Sequence, residues 1–413
     1  MPSAITRRSF AATVGAGLVS RPVRAAEGVM IGAILPLTGS SAIVGQGNRD
    51  ALDITAEMIN LAHGPYPVLL GEGGGLNRLG GMPLRMVFAD HGGDPARAAV
   101  EAERLVNEGA VALIGTYQSA TAVTVSDVAE RRQIPFVSAD NSAPGLHRRG
   151  LQWFFRTTPH DDMFTALMFQ FLAETGAKTG RPVRSVALFY EDSLFGAGSS
   201  AAQRAAAQQA GLPILADIKY KANAASLQAE AEALRDADAD VLMPSSYTAD
   251  AILLMKTLAA VGYRPRLVVA QAAGFQEQAF LSAAGPLAEG VISRSAFASD
   301  AYRFRSGLLL VNEFYAARAG RNLNDNSARQ VVALQVLADA INRAGSTAPL
   351  AIRAALRTTD VPGDQTIMPW DGVRFDATGQ NTAATPVLQQ VSEGKYRTIY
   401  PASLAIRKVA WAG

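Results

Sequence analysis

The chain has 413 residues, of which 49% are hydrophobic, and it carries 38 basic and 36 acidic side chains but no cysteine. The absence of cysteine excludes a disulfide framework, a thiolate metal site and catalysis by a cysteine nucleophile. A formal net charge of only +2 argues against nucleic acid or an anionic membrane surface as partners, since both require clustered positive charge.

The first 26 residues have the pattern of an export signal. The pair Arg7-Arg8 precedes an apolar run from Phe10 to Val19, about half of the roughly 20 residues that span a bilayer, and small residues follow it. The pattern predicts a cleaved signal peptide, and the arginine pair indicates the Tat route to the periplasm. Arg21 and Arg24 would also fit a segment that is not cleaved. Residues 1 to 26 hold four arginines and no acid, so the mature chain has 34 bases and 36 acids.

From Val29 onward, short apolar runs alternate with segments of helical period, which is typical of a parallel sheet buried on both faces. The predicted elements are a strand over 29–35, a helix over 46–61, a Gly-rich surface stretch over 71–81, a strand over 83–89, a helix from Asp94-Pro95 to Gly109, a strand over 111–114, a helix over 119–132 and a strand over 134–138. Asp94 is expected to cap its helix, because an acid before a first-turn proline is a common helix start.

The same alternation restarts after Arg156. It predicts strands over 185–190, 214–220, 241–244, 267–270 and 290–295, helices over 197–210, 226–237 and 249–261 between them, and three final helices over 299–319, 326–344 and 349–357. Length and pattern together predict an α/β fold with two lobes, each a doubly wound parallel sheet with right-handed crossovers.

Polar and aromatic residues follow the predicted strands, where open parallel α/β sheets bind their ligands. The candidate ligand-binding residues are Tyr117, Gln118, Ser119, Asp140, Asn141 and Ser142 in the first half and Phe195, Tyr247 and Gln271 in the second. We expect them to face each other across a cleft. The turn into the helix at Ser119 presents free N–H groups that suit a carboxylate. The competing interpretations are that Ser119 only caps its helix and that Asp140 only stabilises its loop.

Several segments, in this order and spacing, resemble type I periplasmic solute-binding proteins of ABC transporters, typified by the leucine/isoleucine/valine-binding protein. The segments are Ile31–Gly39, Ala56–Asn60, Ile114-Gly115 with Ser119, Phe155-Arg156, Tyr190–Asp192 with Phe195-Gly196, Gly262-Tyr263, Glu289–Val291 and Phe375–Asn381. The resemblance implies two lobes joined by a three-crossing hinge, with 27–157 and 296–360 in lobe 1 and 158–295 and 361–413 in lobe 2. It also implies a periplasmic monomer that binds a small-molecule solute and delivers it to ABC permease subunits.

The resemblance implies roles for individual residues. The serine matching Ser119 and nearby N–H groups hold a ligand carboxylate, the hydroxyl matching Ser142 and the carbonyl matching Asp140 take an ammonium, and an aromatic matching Phe195 closes over the ligand. Amino-acid binders carry an acid near Gln271 that pairs with the ammonium, and this sequence has Gln-Ala-Ala-Gly there. Since an unpaired buried ammonium is costly, either Asp140 replaces that acid or the ligand is not a plain α-amino acid. Aromatic acids, amides and short organic acids stay open.

The sequence offers little chemistry for an enzyme. Its four histidines lack metal-ligand spacing, there is no Gly-x-Ser-x-Gly elbow, and the Gly71 to Gly75 run does not link a strand to a helix as a dinucleotide fingerprint does. The prediction is a binding protein without cofactor, metal or catalytic residues. The alternative function is a periplasmic sensor that presents its solute to a chemoreceptor or signalling partner.

Overall fold

The computed structural model describes residues 28–271 and 273–410. The predicted signal peptide lies outside these ranges. Within them, no helix is both long and apolar enough to cross a membrane. The same residues contain no group of three or more His, Asp or Glu side chains placed to hold a metal ion.

The first lobe is built on a five-stranded sheet. Its elements are β1 (Val29–Leu35), α1 (Ala42–Asn60), β2 (Leu84–Asp90), α2 (Pro95–Asn107), β3 (Ala112–Gly115), α3 (Ser119–Arg132), β4 (Phe136–Ser138) and β5 (Phe154–Arg156). The strands are all parallel, in the order β2-β1-β3-β4-β5. The predicted cap of α2 is confirmed, because the Asp94 carboxylate accepts the N–H groups of Ala96 and Arg97.

Strand β1 explains why the first apolar run predicted a buried strand. Successive side chains point to opposite faces of a sheet, so Ile31 and Ala33 pack with α1 on one face. Met30 and Ile34 pack with α2 and α3 on the other face. Because both faces are covered by helices, every residue of the strand is buried.

The second lobe begins after β5. Its elements are α4 (Asp161–Thr179), β6 (Val186–Glu191), α5 (Leu194–Gln209), β7 (Ile214–Tyr220), α6 (Gln228–Ala237), β8 (Val241–Ser245), α7 (Thr248–Ala260), β9 (Leu267–Ala270), α8 (Gln278–Ala284) and β10 (Ile292–Ser295). Helix α4 was not predicted. Its first half is a nearly continuous apolar run, from Met163 to Leu172 with few polar residues, and such a run does not show the 3.6-residue period of a surface helix.

The chain then returns to the first lobe. The elements are α9 (Ser306–Ala319), α10 (Asp325–Ala344), α11 (Pro349–Arg357) and the short antiparallel pair β11 (Asp360–Pro362) and β12 (Gly372–Arg374). Val361, Trp370 and Phe375 belong to the same buried cluster as β1 and α10, and Trp370 Nε1 donates to the Ala296 carbonyl at 2.8 Å. The boundary expected at residue 360 therefore differs from the packing, which keeps this segment with the first lobe.

The last described elements are the hairpin strands β13 (Val387–Ser392) and β14 (Lys395–Tyr400). They complete a seven-stranded sheet with the order β14-β13-β10-β9-β8-β6-β7. Pairing of β10 with β13 and of β13 with β14 is antiparallel, so the second sheet is mixed rather than purely parallel. Glu393 and Gly394 at the turn both have positive φ, as a tight hairpin requires.

The chain passes between the two sheets three times, after β5, after β10 and before β13. The first and third passages are hydrogen-bonded to each other. Arg156 Nε donates to Gln380 Oε1 at 2.6 Å, while Gln380 Nε2 donates to the Thr158 carbonyl and Asn381 Nδ2 to the Thr157 carbonyl. These side chains are all buried. Two of the three connections between the lobes are therefore hydrogen-bonded to each other.

Candidate functional site

Three aromatic rings from the two lobes meet where the strands end. Tyr117 follows β3 in the first lobe, while Phe195 and Tyr247 follow β6 and β8 in the second. The ring centroids of Tyr117 and Tyr247 lie 5.3 Å apart, as do those of Phe195 and Tyr247. All three side chains are buried except for part of Tyr247. The lobes are thus in contact across the cleft.

The mouth of the cleft lies beside these rings. A cavity of about 210 Å³ opens there, between Ser41 and Gln118 of the first lobe and Glu191 and Asp250 of the second. Gln118 Nε2 donates to Ser41 Oγ at 3.0 Å. Gln118 therefore lies at the rim rather than among the innermost polar groups. On the opposite side of the cavity, burial raises the pKa of Glu191 to about 7, although the Ser193 hydroxyl opposes the shift.

Ser119 is the first residue of α3, and its hydroxyl does not cap the helix. The capping position is Gln118, and no side chain in the described residues makes the capping hydrogen bond. Ser119 is 2% exposed, and its Oγ accepts the N–H of Ala143 at 3.4 Å. The first turn of a helix leaves its N–H groups without helical partners. Ser119 thus combines a buried hydroxyl with the positive end of a helix.

Asp140 is held by two amides. Its Oδ2 accepts from Asn48 Nδ2 at 2.5 Å and from Gln330 Nε2 at 2.7 Å. Within the described chain, Oδ1 has no hydrogen-bond partner. Burial raises the pKa of Asp140 to about 6, and the Arg329 guanidinium and the two amides limit that rise. Helices α1 and α10 therefore position the carboxylate, which is a larger role than turn formation.

The Asn141 side chain stabilises the loops after β3 and β4 by hydrogen bonds. Its Oδ1 accepts from Thr116 N–H at 3.2 Å and Ser138 Oγ at 2.8 Å, and its Nδ2 donates to Thr116 Oγ1 and to the Gln118 carbonyl. Both polar atoms of the amide are thus occupied by the protein itself. The structure brings Asn141 into the site region but directs its side chain at the β3–α3 turn.

Gln271 contacts an acid that the sequence pattern did not indicate. Its Nε2 donates to Asp161 Oδ1 at 3.0 Å, although Asp161 begins α4, 110 residues away. In the described structure, Asp161 Oδ2 has no hydrogen-bond partner. Burial raises the pKa of Asp161 to about 6, and the nearby Arg294 guanidinium opposes the shift. A carboxylate therefore lies beside Gln271 without being near it in sequence.

Arg294 is the largest departure from the sequence-based site. It lies in β10, is 1% exposed, and stacks on the Phe164 ring at 3.8 Å from its centroid. Its Nη2 lies 3.8 Å from Asp161 Oδ1 and donates to Ser142 Oγ at 3.5 Å. Nε and Nη1 have no hydrogen-bond partner among the residues described. A charged residue in a short buried strand was the available signal, because buried arginines are rare unless paired.

A second buried guanidinium belongs to Arg329 of α10. It forms an ion pair with Asp325, and its Nη1 donates to the Asp140 carbonyl at 3.4 Å. Its Nε is without a hydrogen-bond partner in the described ranges. Burial lowers the pKa of Arg329 to about 9, and the charge of Arg294 contributes. The signal for Arg329, and for Asn48 of α1, was a polar side chain on the apolar face of a helix.

The fold and the site can be compared with known proteins. The family model described as periplasmic binding protein matches residues 28–395. The chain belongs to the periplasmic binding protein family. The Leu/Ile/Val-binding protein homolog 8 of Brucella suis biovar 1 (strain 1330) is 28% identical to this family member over 421 residues, with 98% of each chain covered.

Solved structures of the same architecture include a leucine-binding protein from Thermotoga maritima. It superposes on this periplasmic binding protein with a TM-score of 0.75 at 20% identity and covers 90% of this chain and 97% of its own. A solute-binding protein of an ABC transporter from R. palustris, in complex with benzoate, gives a TM-score of 0.76 at 18% identity and covers 92% and 97%.

These findings confirm the α/β fold with two lobes and the expected class of protein. Proteins of this family bind solutes and are not enzymes, so the prediction of a binding protein is confirmed. The family also indicates the periplasm as the location, a small molecule as the ligand and ABC transport as the process.

Proposed function

We propose that this periplasmic binding protein captures a small carboxylate-bearing solute between its lobes and delivers it to an ABC permease, acting as a monomer after export. The solute class comprises amino acids and related organic or aromatic acids, with or without an amide group beside the carboxylate. The observation that carries the proposal is the buried start of α3, where Ser119 and first-turn N–H groups face the loop of Ser142. Helix N-termini bind carboxylates through such groups.

The comparisons are consistent with this ligand chemistry. One structural neighbour is named for leucine and another was solved with benzoate. These two ligands differ in size, in aromaticity and in the presence of an ammonium, but each has a carboxylate. The carboxylate is the group that these two ligands have in common, and it supports a carboxylate anchor at Ser119.

Binding is proposed to couple to closure. Ser119 belongs to the first lobe, while Phe195 and Tyr247 belong to the second, so one small ligand reaches both sets only when the lobes are together. A ligand shifts an equilibrium between open and closed forms only by its differential affinity for the two. A solute held between lobes therefore favours the closed form that a permease can recognise.

A thermal-shift screen of the chain from Glu27 onward tests the ligand class. A ligand at 100 times its Kd adds about 2.7 kcal/mol of stability, which gives a measurable rise in Tm. Benzoate, branched-chain acids and amino acids would be compared with their carboxamides, which have nearly the same shape without the charge. We expect the acids to raise Tm more than their amides. A larger rise with amides would place the anchor elsewhere.

Uptake measurements test delivery. Proteoliposomes that contain the cognate permease should accumulate the identified acid only when this protein is added outside. Accumulation that is independent of the protein would contradict the transport role and favour a sensor.

A further inference from the structure

Two guanidinium groups donate to acceptors on the loop of residues 140–143, which contacts Ser119 through the Ala143 N–H. Arg294 Nη2 donates to Ser142 Oγ at 3.5 Å, and Arg329 Nη1 donates to the Asp140 carbonyl at 3.4 Å. An ammonium needs acceptors of this kind and is repelled by a positive neighbour. A ligand ammonium beside Ser119 would therefore compete with two fixed positive charges for the same oxygens.

The donors of these arginines are not all used. Arg294 Nε and Nη1 and Arg329 Nε have no hydrogen-bond partner within the described residues, and both side chains are 1 to 2% exposed. Unpaired buried donors are costly, and a guanidinium presents its N–H groups as a fork that fits a carboxylate. The unmet requirement of Arg294 is thus for an anion or a polar acceptor.

Two acids in the same region also have a free oxygen, namely Asp140 Oδ1 and Asp161 Oδ2. Each acid already has a positive neighbour, because Arg294 lies 3.8 Å from Asp161 and the charge of Arg329 acts on Asp140. The described chain buries more acids than arginines, Glu277 among them, but Asp140 and Asp161 each already face a guanidinium. A ligand ammonium is not needed to neutralise them, and their free oxygens can accept from a neutral hydroxyl.

Ser119 and Arg294 approach one place from the two lobes. Ala143 gives its N–H to Ser119 Oγ, and the adjacent residue Ser142 gives its hydroxyl oxygen to Arg294. We propose that the solute is a carboxylate without an α-ammonium and that Arg294 determines this preference through its buried charge and an unpaired N–H group, Nε or Nη1, that donates to it. This inference rests on the proposed function, in which the solute carries a carboxylate.

Matched pairs of ligands test the inference by isothermal titration calorimetry. The pairs are leucine with 4-methylpentanoate and phenylalanine with 3-phenylpropanoate, which differ only in the ammonium. We expect the ammonium-free acid to bind at least tenfold more tightly in the pair that fits the site. Equal or tighter binding of the amino acid would overturn the inference and leave the carboxylate function standing. Binding of carboxamides but of no acid would overturn the proposed function, and the inference with it.

Variants of Arg294 test whether this residue sets the preference. R294M should reduce the affinity for the ammonium-free acid at least tenfold. It should also bring the dissociation constants of the amino acid and the ammonium-free acid closer together. R294K keeps a charge without the planar fork, so it should reduce affinity less while retaining the preference. Melting curves without ligand show whether each variant folds.

The matched control is R305M. Arg305 is a half-buried guanidinium that donates to the Met368 and Trp370 carbonyls within the packing of the first lobe, so its loss should leave the ratio of the two dissociation constants unchanged. If R294M folds and its dissociation constants for the two ligands have the same ratio as in the wild-type protein, the role of Arg294 is overturned. If R294M does not fold, unchanged affinity of R294K for the ammonium-free acid would do so.

Discussion

Glu277 of the second lobe and Asn324 of the first are joined by a hydrogen bond of 3.1 Å, from the Asn324 amide to the Glu277 carboxylate. The other carboxylate oxygen accepts from the Asn326 amide. Asn324 also caps α10 through its bond from Ser327 N–H. Burial raises the pKa of Glu277 to about 7, the Asn326 hydrogen bond opposes the shift, and the charge of Asp140 adds to it. A carboxyl group that titrates near neutral pH thus joins the two lobes.

We expect Glu277 to contribute more stability as the pH falls from about 7 to 4.5. Glu277 has a pKa of about 7 in the folded protein and an ordinary value of 4.5. Between these values the Glu277 carboxyl is protonated in the folded state and ionised in the unfolded chain, so its contribution to the free energy of unfolding falls as pH rises, with a slope of up to about 1.4 kcal/mol per pH unit. Thermal melts between pH 5 and 8 measure this slope.

The variant E277Q isolates the contribution of Glu277, because a glutamine keeps the shape of the side chain and does not titrate. As the pH falls from 7 to 5, the free energy of unfolding of E277Q should gain less, or lose more, than that of the wild-type protein. In both proteins Glu191, Asp140 and Asp161 add stability at low pH and His91, His147 and His160 oppose it. D192N removes an exposed carboxylate and serves as the control. Identical slopes for E277Q and wild type would show that Glu277 does not titrate in this range.

The variant S119A should bind the carboxylate solute more weakly by about 1 to 3 kcal/mol, the range for a hydrogen bond to a charged group. Calorimetry with the acid found in the screen measures the loss. The matched control is S126A on the same helix, because the Ser126 hydroxyl is equally buried but donates to the Val123 carbonyl. Equal affinities for S119A and wild type would remove Ser119 from the site.

Much of the fold could be predicted because buried parallel strands are short apolar runs between turns. Strands β1 and β9 and helix α3 have the bounds that the sequence indicated. Helix α4 could not be found in this way, because its apolar run from Met163 to Leu172 has too few polar residues to show a helical period. Strands β13 and β14 were missed because their polar residues, such as Gln389 and Thr398, are buried by tertiary contacts.

Part of the candidate site could also be predicted from the sequence, and part could not. The loops of Ser119, Asp140 and Tyr247 could be placed together because the carboxyl ends of parallel strands share one edge of each sheet. Arg294 and Asp161 could not, because their proximity depends on how β10 and α4 meet at the hinge. The identity of the ligand depends on these tertiary contacts, which sequence spacing does not encode.

Two substitutions of Asp140 distinguish the contribution of its oxygen atoms to stability from the contribution of its charge. D140A removes the acceptor of both Asn48 and Gln330, and each buried donor left unpaired costs about 1 to 3 kcal/mol. D140N keeps an oxygen that can accept from both amides, so it should destabilise much less. Urea unfolding of the two variants measures the difference. Similar small losses for both would mean that the two amides find other partners.

Tyr247 should affect the binding of all solutes by a similar factor. Its ring contacts Phe195 in its own lobe and Tyr117 in the opposite lobe, so Y247A removes a contact between lobes that exists only when the cleft is closed. Aromatic pairs contribute about 0.5 to 1.5 kcal/mol beyond the area they bury, and that loss shifts the population toward the open form before any ligand is added.

Calorimetry with two or more ligands, together with small-angle scattering of the free protein, measures both effects. Y302A removes an exposed tyrosine that is not part of this aromatic group and should change neither. If Y247A weakened only ligands with an aromatic ring, Tyr247 would be a wall of the ligand site and not part of the closure.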